Sequence, residues 1–324
     1  MQLQEVINSY EKDLAVVESF LEQGRESYVD LIPEISKHII MSGGKRIRPL
    51  LIMISADLFG YHGENRYPLA AAIEFIHTAS LLHDDVIDHA SMRRGKAAAN
   101  RLWGNAASVL VGDYLYAMAV KFLTASNNQA VQEFVSVATA TMVEGETLQL
   151  IKSGDVNITE EDYLSIVEKK TAILMATACA LGPVLAGEPS SVVDAMTDFG
   201  MKLGITFQLT DDTLDYIGVE EDFGKSIGMD VREGKMTLPL IWALQNSPSS
   251  RADRIRRIVA GKSADDGDVE EVVGFIRETG GIDYALEKAG RFVAEAKKLI
   301  ADLPPSFPRD AMVVLSDHVL SRTI

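Results

Sequence analysis

The chain has 324 residues, of which 47% are hydrophobic, so it is long enough to bury a large core. Its formal net charge of −16 excludes the extended basic face that a nucleic-acid partner requires. An anionic ligand would therefore have to bind through metal ions or through a local basic cluster.

Hydrophobic residues recur at the helical period of 3.6 along nearly the whole sequence, whereas the alternating patterns of strands are scarce. The predicted helices are 2–22, 26–41, 46–59, 67–90, 104–125, 128–153, 160–185, 190–218 and 235–246, with four shorter ones between about 249 and 322. No long Pro-, Ser- or Gly-rich linker divides the chain, so we expect one all-α domain over residues 1–324. The most linker-like segment, 263–268, is expected to join two peripheral helices.

Neither a disulfide nor a membrane span is expected. The only cysteine, Cys179, lies in an apolar run and is interpreted as a small core residue, which favours a reducing, cytoplasmic location. The first residues lack the basic start and apolar run of a signal peptide. The longest apolar stretch, around 173–186, is too short for a membrane span. These features predict a soluble protein.

Two aspartate clusters, each in an apolar helical stretch, are the most informative feature of the sequence. Their members are Asp84, Asp85 and Asp88 in the first cluster and Asp211, Asp212 and Asp215 in the second. Positions i and i+4 of a helix share a face, so each cluster presents several carboxylates on one side. Carboxylate and water oxygens are the ligands that Mg²⁺ prefers. If the two helices face each other, the aspartates predict a metal-loaded site for a phosphate-bearing substrate.

Basic residues near the clusters predict a second anion site. They occur in Gly43-Gly44-Lys45-Arg46-Ile47-Arg48-Pro49, Arg93-Arg94-Gly95, Lys169-Lys170-Thr171 and Phe223-Gly224-Lys225. The glycine-rich segment lacks the spaced glycines of nucleotide-binding loops and is also compatible with a helix C-cap. Each basic group alone is more typical of a solvated surface, but together they indicate an anion pocket beside the acidic site.

The pattern Glu74-x-x-His77 also occurs in half-sites of di-iron proteins built on helical bundles. Such sites need a second copy of the pattern. None of the other histidines in the sequence has a glutamate three residues before it, which disfavours a di-iron centre.

In these motifs the chain resembles the trans-isoprenyl diphosphate synthases, also called polyprenyl synthases, and particularly their long-chain, octaprenyl-type members. The resemblance extends from Gly43-Gly44-Lys45-Arg46 to the helices past Lys235-Met236-Thr237-Leu238-Pro239. It implies an all-α fold with antiparallel helices around a deep central cavity, and a homodimer. It also implies condensation of an allylic diphosphate, such as farnesyl diphosphate, with successive isopentenyl diphosphates. The expected product is a long all-trans polyprenyl diphosphate of the kind that becomes a quinone side chain.

The resemblance also implies a role for each matching residue. The six aspartates would hold Mg²⁺ ions, expected to number three per active site, that clamp the allylic diphosphate. The positions that match isopentenyl diphosphate binding are Lys45, Arg48, His77 and Arg94. The positions that match contacts to the allylic diphosphate are Arg93, Lys170, Lys225 and Lys235. Thr171 and Gln208 match polar groups whose oxygens stabilise a cation at the reacting carbon.

Product length is expected to depend on Ala79 and Ser80, which lie about one helical turn before Asp84 and on the same face. In the family, bulky aromatic residues at these positions block the product tunnel, and small residues leave it open. The resemblance therefore implies a long product, although both residues are also compatible with simple packing. The candidates for a deeper tunnel floor are Ile76, Tyr116 and Phe122.

Two other functions remain open. A terpene cyclase also ionises allylic diphosphates with Mg²⁺, but it needs no isopentenyl diphosphate site and its second metal motif is generally less rich in aspartate. A non-catalytic subunit of a heteromeric synthase tends to lose the aspartates or the basic residues, which this chain retains. One departure from the family concerns the C-terminus, where only Arg322 is available to close the site over the diphosphate.

Overall fold

The computed structural model describes residues 1–40, 46–217, 228–261 and 264–321. These residues are mostly α-helical and contain almost no strands, which confirms the predicted all-α fold class. The first nine helices are Leu3–Ser9, Glu11–Gly24, Leu31–Ile40, Ile47–Leu58, Arg66–Ile87, Ala99–Trp103, Asn105–Ala125, Gln129–Lys152 and Glu160–Val167. The helices that follow in the described residues are Ile173–Ala186, Ser190–Ile217, Met229–Arg232, Leu238–Gln245, Ser249–Ala260, Asp266–Glu278, Gly281–Leu299 and Phe307–Ser321.

The chain forms two compact units, each assembled from three chain segments. The first unit consists of Met1–Thr139, Thr177–Thr197 and Leu303–Val314. The second consists of Ala140–Ala176, Asp198–Asp302 and Leu315–Ile324. The organisation of residues 1–324 as a single domain stays a prediction.

The helix Arg66–Ile87, which we call the first aspartate helix, lies at the centre of the first unit. It packs against Glu11–Gly24, Ile47–Leu58 and Asn105–Ala125. Every residue from Leu69 to Ile76 is buried, because this part of the helix is apolar or uncharged on nearly all sides. The carboxylates of the first cluster therefore lie at the C-terminal end of a helix whose central part is buried.

The second unit contains most of Ser190–Ile217, the second aspartate helix. Its core includes Leu209 of that helix together with Ile241, and Trp242 stacks on Tyr284 with ring centroids 3.7 Å apart. Leu209 is fully buried, whereas Asp211 two residues later is partly exposed. The apolar side of this helix thus fixes which of its faces carries the carboxylates.

Several predicted helices have different bounds in the structure. The predicted helix 2–22 is two helices, interrupted at Tyr10, and the predicted helix 26–41 begins only at Leu31. The predicted helix 160–185 contains a π-helical turn at Glu168–Ala172. The four short helices predicted between 249 and 322 are all present. Of the linker-like segment 263–268, only Ala264 and Asp265 lie between two of these helices in the described residues, because Asp266 already begins the helix Asp266–Glu278. Ser263 lies outside the described residues.

A two-stranded β-hairpin at Met92–Ala97, which the sequence pattern did not predict, follows the first aspartate helix. Arg93 pairs with Lys96, so the turn consists of the two residues Arg94 and Gly95. Both have positive φ, 49° and 75°, the left-handed geometry that matches the twist of a tight hairpin. Strands of two residues are too short to leave an alternating pattern in the sequence. The hairpin brings two arginines to the end of the first aspartate helix.

One helix in the described part of the chain, Asn105–Ala125, is long and apolar enough to cross a membrane by length and composition alone. The mean hydropathy over its most apolar 18 residues is 1.4, and 33% of that window is buried. A single helix of this kind is weak evidence for a membrane span. Its exposed apolar side chains are also suited to contact with another protein.

Candidate active site

The first aspartate cluster lies at the C-terminal end of its helix, where the three carboxylates differ in burial. Asp85 is fully buried, Asp84 is half-buried and Asp88 is exposed. The Asp88 backbone N–H donates to the Asp84 carbonyl at 2.8 Å, which holds the last turn in helical geometry. Because Asp84 and Asp88 are four residues apart, they share one face of the helix.

Asp85 is held by the hairpin that follows it. Its Oδ1 accepts hydrogen bonds from the Arg93 guanidinium, at 2.9 Å from Nε and also from Nη2. Its backbone carbonyl accepts from Asn100 Nδ2 at 2.9 Å. Its Oδ2 is buried and has no hydrogen-bond partner among the described residues. One oxygen of this buried carboxylate is therefore available to a cation or another donor.

Four arginines lie within electrostatic range of His77, which is two helical turns before Asp84 on the same helix. Burial lowers the pKa of His77 well below its ordinary value of 6.5, and Arg48, Arg94, Arg93 and Arg46 lower it further, in that order. Burial, together with repulsion from these guanidinium groups, favours the neutral imidazole. Such a concentration of arginines is the electrostatic requirement for an anion site.

Glu74 is the acidic counterpart of these arginines. Its carboxylate is buried and accepts a hydrogen bond from Arg46 Nη1 at 3.0 Å, while Arg46 Nε binds Glu18 at 2.6 Å. Burial and Arg94 lower the pKa of Arg48, and Glu74 raises it. The Arg48 Nε is buried without a hydrogen-bond partner in the described chain. Glu74 therefore serves as a counterion to arginines. This role explains a glutamate in the Glu-x-x-His pattern without an iron site.

The residues assigned to product length lie on the first aspartate helix. Ala79 is buried, and Ser80 is half-buried with its hydroxyl donating to the His77 carbonyl at 2.8 Å. Deeper along the helix, the Phe75 ring stacks on Phe122, with 6.0 Å between ring centroids. Of the expected floor residues, Ile76 is buried, Phe122 is half-buried and Tyr116 is 41% exposed. Phe75, which the expected residues did not include, is thus a buried neighbour of Phe122.

In the second unit, Asp212 is the buried member of its cluster. Its Oδ2 accepts a hydrogen bond from the Tyr163 hydroxyl at 2.5 Å, and its Oδ1 accepts from Gln208 Nε2 at 2.7 Å. Burial raises the pKa of Asp212 to about 7; the two hydrogen bonds oppose this rise, and the nearby Asp211 adds to it. Bound cations would lower that pKa again.

Asp215 organises the chain that follows the second cluster. Its Oδ1 accepts from the backbone N–H of Met229 at 3.2 Å, and its Oδ2 accepts from that of Asp230 at 3.0 Å. Burial, followed by the charges of Asp212 and Asp215, raises the pKa of Asp230 well above its ordinary value. Asp230 is a further carboxyl group at this cluster, although it lies outside the aspartate motif in the sequence.

The π-helical turn Glu168–Ala172 carries Lys170 and Thr171, and glycines allow neighbouring helices to approach it. A Cβ on Gly145 would lie 2.5 Å from the Lys170 backbone nitrogen, and one on Gly204 would lie 2.5 Å from the Ala172 Cα. Lys170 forms an ion pair with Glu146 at 2.5 Å. Isolated π-helical turns within helices are frequent at functional sites. Here the turn directs Thr171 to Gln208, whose Oε1 lies 3.1 Å from the Thr171 hydroxyl.

Lys235 follows the short helix Met229–Arg232 and forms an ion pair with Glu233 at 2.7 Å. Its charge lowers the pKa of both Asp212 and Asp230, so it lies within electrostatic range of the second cluster. Lys45 and Lys225, which were assigned to the two diphosphates, lie outside the described residues, as does Arg322.

The donor chemistry of both clusters suits a hard divalent cation. Each motif offers only carboxylate oxygens, the ligand type that Mg²⁺ prefers, and Asp85 Oδ2 is a buried acceptor without a hydrogen-bond partner in the described chain. Among the residues that the structure describes, no three Asp, Glu, His or Cys side chains already form a closed metal site. Magnesium that keeps several waters and binds substrate phosphates needs no such all-protein cage.

Comparisons with known proteins agree with these features. Residues 29–276 match the polyprenyl synthetase family. The chain is 38% identical over 99% of both chains to octaprenyl diphosphate synthase of Escherichia coli K12. It is 37% identical, over 93% of its length and 94% of the relative, to a short chain isoprenyl diphosphate synthase of Methanothermobacter thermautotrophicus.

Among solved structures, a polyprenyl synthase from Caulobacter crescentus CB15, complexed with calcium and isoprenyl diphosphate, has a TM-score of 0.95 and 39% identity. The match covers 100% of this chain and 98% of the other. The chain therefore belongs to the polyprenyl synthetase family and is a prenyltransferase of the polyprenyl diphosphate synthase class.

Proposed function

We propose that this enzyme uses Mg²⁺ to condense an allylic diphosphate, such as farnesyl diphosphate, with successive isopentenyl diphosphates into a long all-trans polyprenyl diphosphate. The observation that carries the proposal is the Met92–Ala97 hairpin, which serves an acidic and a basic cluster at once. Arg93 binds the buried Asp85, and both Arg93 and Arg94 contribute to the positive field at His77. A metal-bound diphosphate and a second diphosphate held by arginines would each find suitable chemistry there.

Isopentenyl diphosphate is assigned to the basic cluster of Arg48, His77 and Arg94, together with Lys45. Arginine forks match the geometry of phosphate oxygens, so Arg48 and Arg94 would fix the diphosphate. A neutral His77 can donate one hydrogen bond to it without adding a further buried charge. Lysine and arginine charges not balanced by Glu74 would be neutralised by the substrate.

The allylic diphosphate is assigned to the aspartates and to Arg93, Lys170, Lys225 and Lys235. Three Mg²⁺ ions, when bound by the aspartates, would neutralise the charge that develops on the pyrophosphate leaving group. The lysines and Arg93 would add positive charge to the same group. Their common effect is to make a poor leaving group depart at neutral pH.

Cleavage of the allylic C–O bond leaves a cation, which the double bond of isopentenyl diphosphate attacks. The oxygens of Thr171 and Gln208 are assigned to stabilise this cation, and apolar side chains would exclude water from it. The attack forms the new C–C bond and leaves a tertiary cation in the isopentenyl unit; a proton is then lost from the carbon beside that cation, which forms the new double bond, and the released pyrophosphate is a sufficient base. No protein general base is required.

A long product is supported by small side chains rather than by overall similarity, since long-chain and short-chain relatives resemble this chain almost equally. Ala79 and Ser80 add little bulk one turn before Asp84. The stacked rings of Phe75 and Phe122 lie deeper and are suited to set the final length. A long polyprenyl chain is consistent with use as a quinone side chain.

A homodimer is supported by the helix Asn105–Ala125. Its exposed apolar side chains include Leu110, which is 67% exposed, Tyr116 and Val120. An apolar helix face of this extent is unusual on a monomer in water. A second copy of this chain would cover it, and the enzyme would then be a soluble, cytoplasmic dimer.

The direct test is to incubate the purified protein with Mg²⁺, isopentenyl diphosphate and farnesyl diphosphate, and to size the products by mass spectrometry. A ladder of masses, each one C5 unit longer than the last and ending in a long polyprenyl diphosphate, is expected. Cyclic hydrocarbons from farnesyl diphosphate alone would indicate a terpene cyclase. No product without a second protein would indicate a subunit of a heteromeric synthase.

A further inference from the structure

Tyr163 lies 49 residues before Asp212 in the sequence, and neither aspartate motif includes it. It is nevertheless 6% exposed, and its hydroxyl donates to Asp212 Oδ2 at 2.5 Å. The helix that carries it, Glu160–Val167, begins with a capping box in which Thr159 and Asp162 bind each other's backbone N–H. Tyr163 thus projects from a well-anchored helix onto the second aspartate helix.

The same helical segment contacts the second aspartate helix at two points. Tyr163 binds Asp212, and eight residues later, within the π-helical turn, Thr171 binds Gln208. Gln208 and Asp212 are one helical turn apart and are bonded to each other at 2.7 Å. A continuous chain of hydrogen bonds therefore runs from Tyr163 through Asp212 and Gln208 to Thr171.

The direction of each bond in this chain follows from the chemistry of the groups. When Asp212 is ionised, as bound cations would keep it, it can only accept, so the Tyr163 O–H and the Gln208 amide N–H₂ both donate to it. With its N–H₂ turned to Asp212, Gln208 presents its carbonyl oxygen to Thr171. The Thr171 hydroxyl must then donate its proton to Gln208. Both lone pairs of the Thr171 oxygen remain available to an electron-poor group.

We propose that Tyr163 is a positioning residue that anchors Asp212 and thereby fixes, through Gln208, the orientation of the Thr171 hydroxyl. This inference rests on the proposed function, in which Asp212 holds metal and Thr171 stabilises the allylic cation. Groups that orient metal ligands from behind typically change metal affinity or activity by about 10–100-fold when they are removed. Tyr163 would act on both substrate ionisation and metal binding without touching either.

The chain offers a matched control. Tyr216 is also buried in the second unit, and its hydroxyl forms a hydrogen bond of the same length, 2.5 Å, with Thr237 rather than with the Asp212 chain. Tyr163→Phe and Tyr216→Phe each remove one buried hydroxyl, so general destabilisation should be similar. Circular dichroism and thermal unfolding establish that both variants are folded. If Tyr163→Phe does not fold, Gln208→Met removes the other Asp212 donor and is examined in the same way.

The first measurement is Mn²⁺ binding by electron paramagnetic resonance, with Mn²⁺ as the metal probe and no turnover required. Tyr163→Phe is expected to weaken binding about 10-fold or more. Tyr216→Phe should stay within about twofold of the wild type, because its hydroxyl is bonded to Thr237 and not to a metal-binding aspartate. If both variants bind Mn²⁺ with equal affinity, Tyr163 does not anchor Asp212 and the proposal is overturned.

The second measurement is a double-mutant cycle on kcat with Thr171→Val. Tyr163→Phe alone is expected to lower kcat about 10-fold and to leave the KM for isopentenyl diphosphate unchanged. At saturating Mg²⁺, where a change in metal affinity no longer affects kcat, it should cost less than about twofold in the Thr171→Val background, because the hydroxyl that it orients is already absent. If the double variant loses kcat by the product of the two separate factors, the two residues act independently and the proposal is overturned. If the wild type forms no prenyl product, the proposed function fails instead, and the Mn²⁺ comparison still decides whether Tyr163 anchors Asp212.

Discussion

Arg93 donates two hydrogen bonds to a single oxygen of the buried Asp85 carboxylate, and the Nε bond is 2.9 Å long. Asp85 is fully buried, whereas the Arg93 side chain is 29% exposed. Arg93 therefore compensates the negative charge of a carboxylate that is buried away from water. It also joins the Met92–Ala97 hairpin to the end of the first aspartate helix.

Replacing Arg93 with alanine leaves the Asp85 charge buried without its counterion. We predict that Arg93→Ala lowers the free energy of unfolding by about 3 kcal/mol, measured by urea denaturation. Arg94→Ala, at the exposed turn of the same hairpin, should change it by less than about 0.5 kcal/mol. Asp85→Asn in the Arg93→Ala background should recover part of the loss. Equal losses for the two alanine variants would contradict the assigned pairing.

His77 predicts a specific dependence of stability on pH. Its pKa in the folded protein lies well below the ordinary value of 6.5, because burial and four arginines disfavour the protonated form. Below pH 6.5 the unfolded chain binds this proton and the folded chain does not, so acidification favours unfolding. This loss of stability is absent above about pH 7. Below pH 6.5 the free energy of unfolding falls by up to about 1.4 kcal/mol for each pH unit.

The measurement is the free energy of unfolding between pH 5 and 8 for the wild type and His77→Gln. Between pH 5 and 6 the free energy of unfolding should depend less steeply on pH in His77→Gln than in the wild type. The difference in slope should be about 1.4 kcal/mol per pH unit, which corresponds to one bound proton. Ile151→Gln, which replaces an exposed side chain that carries no titratable group, serves as the control and should retain the wild-type slope. Identical slopes in all three proteins would mean that burial and the arginines do not keep His77 neutral in the folded protein.

The predictable features of this protein were those that depend on periodicity and on local motifs. Apolar spacing predicted the first aspartate helix to within three residues, as 67–90 against Arg66–Ile87. The motif placed Asp84, Asp85 and Asp88 at its end, and there they lie. Contacts between distant segments leave no such pattern. Tyr163 and Asp212 are far apart in sequence, and nothing in either neighbourhood indicates their hydrogen bond.

The departures from regular helix were also invisible in the sequence pattern. The π-helical turn at Glu168–Ala172 keeps an apolar spacing close to that of an α-helix, so 160–185 reads as one helix. Gly145 and Gly204 have no side chains, which allows the backbone of neighbouring helices to approach this turn closely. The sequence alone does not show that these two glycines lie beside the turn. The pairing of Glu74 with Arg46 was missed for the same reason.

Bulk at position 80 should shorten the product. Ser80→Phe adds a ring one turn before Asp84, where the growing chain is assigned, so extension should stop several C5 units earlier than in the wild type. The product lengths are compared by mass spectrometry after complete consumption of farnesyl diphosphate. Ser80→Ala, which adds no bulk, should leave the length distribution unchanged. An unaltered distribution for Ser80→Phe would refute the tunnel assignment.

Leu110 should be essential for dimer formation. A lysine at this 67% exposed position would have to be buried against a second copy, so Leu110→Lys should shift the protein from dimer to monomer in light scattering at micromolar concentration. Tyr28→Lys, at an exposed position on another part of the first unit, should leave the dimer intact. A monomeric wild type, or one that sediments with lipid vesicles, would contradict the assignment of this face.

The most direct test of the central claim is the turnover of the double variant Asp84→Asn, Asp211→Asn with Mg²⁺, farnesyl diphosphate and isopentenyl diphosphate. Asparagine keeps the shape of the side chain and removes one charge from each motif, so the variant should remain folded by circular dichroism. If both clusters act on the diphosphate through bound cations, the rate of polyprenyl diphosphate formation should fall by on the order of 1,000-fold. A folded variant that works within about tenfold of the wild-type rate would contradict metal-assisted ionisation by these two motifs.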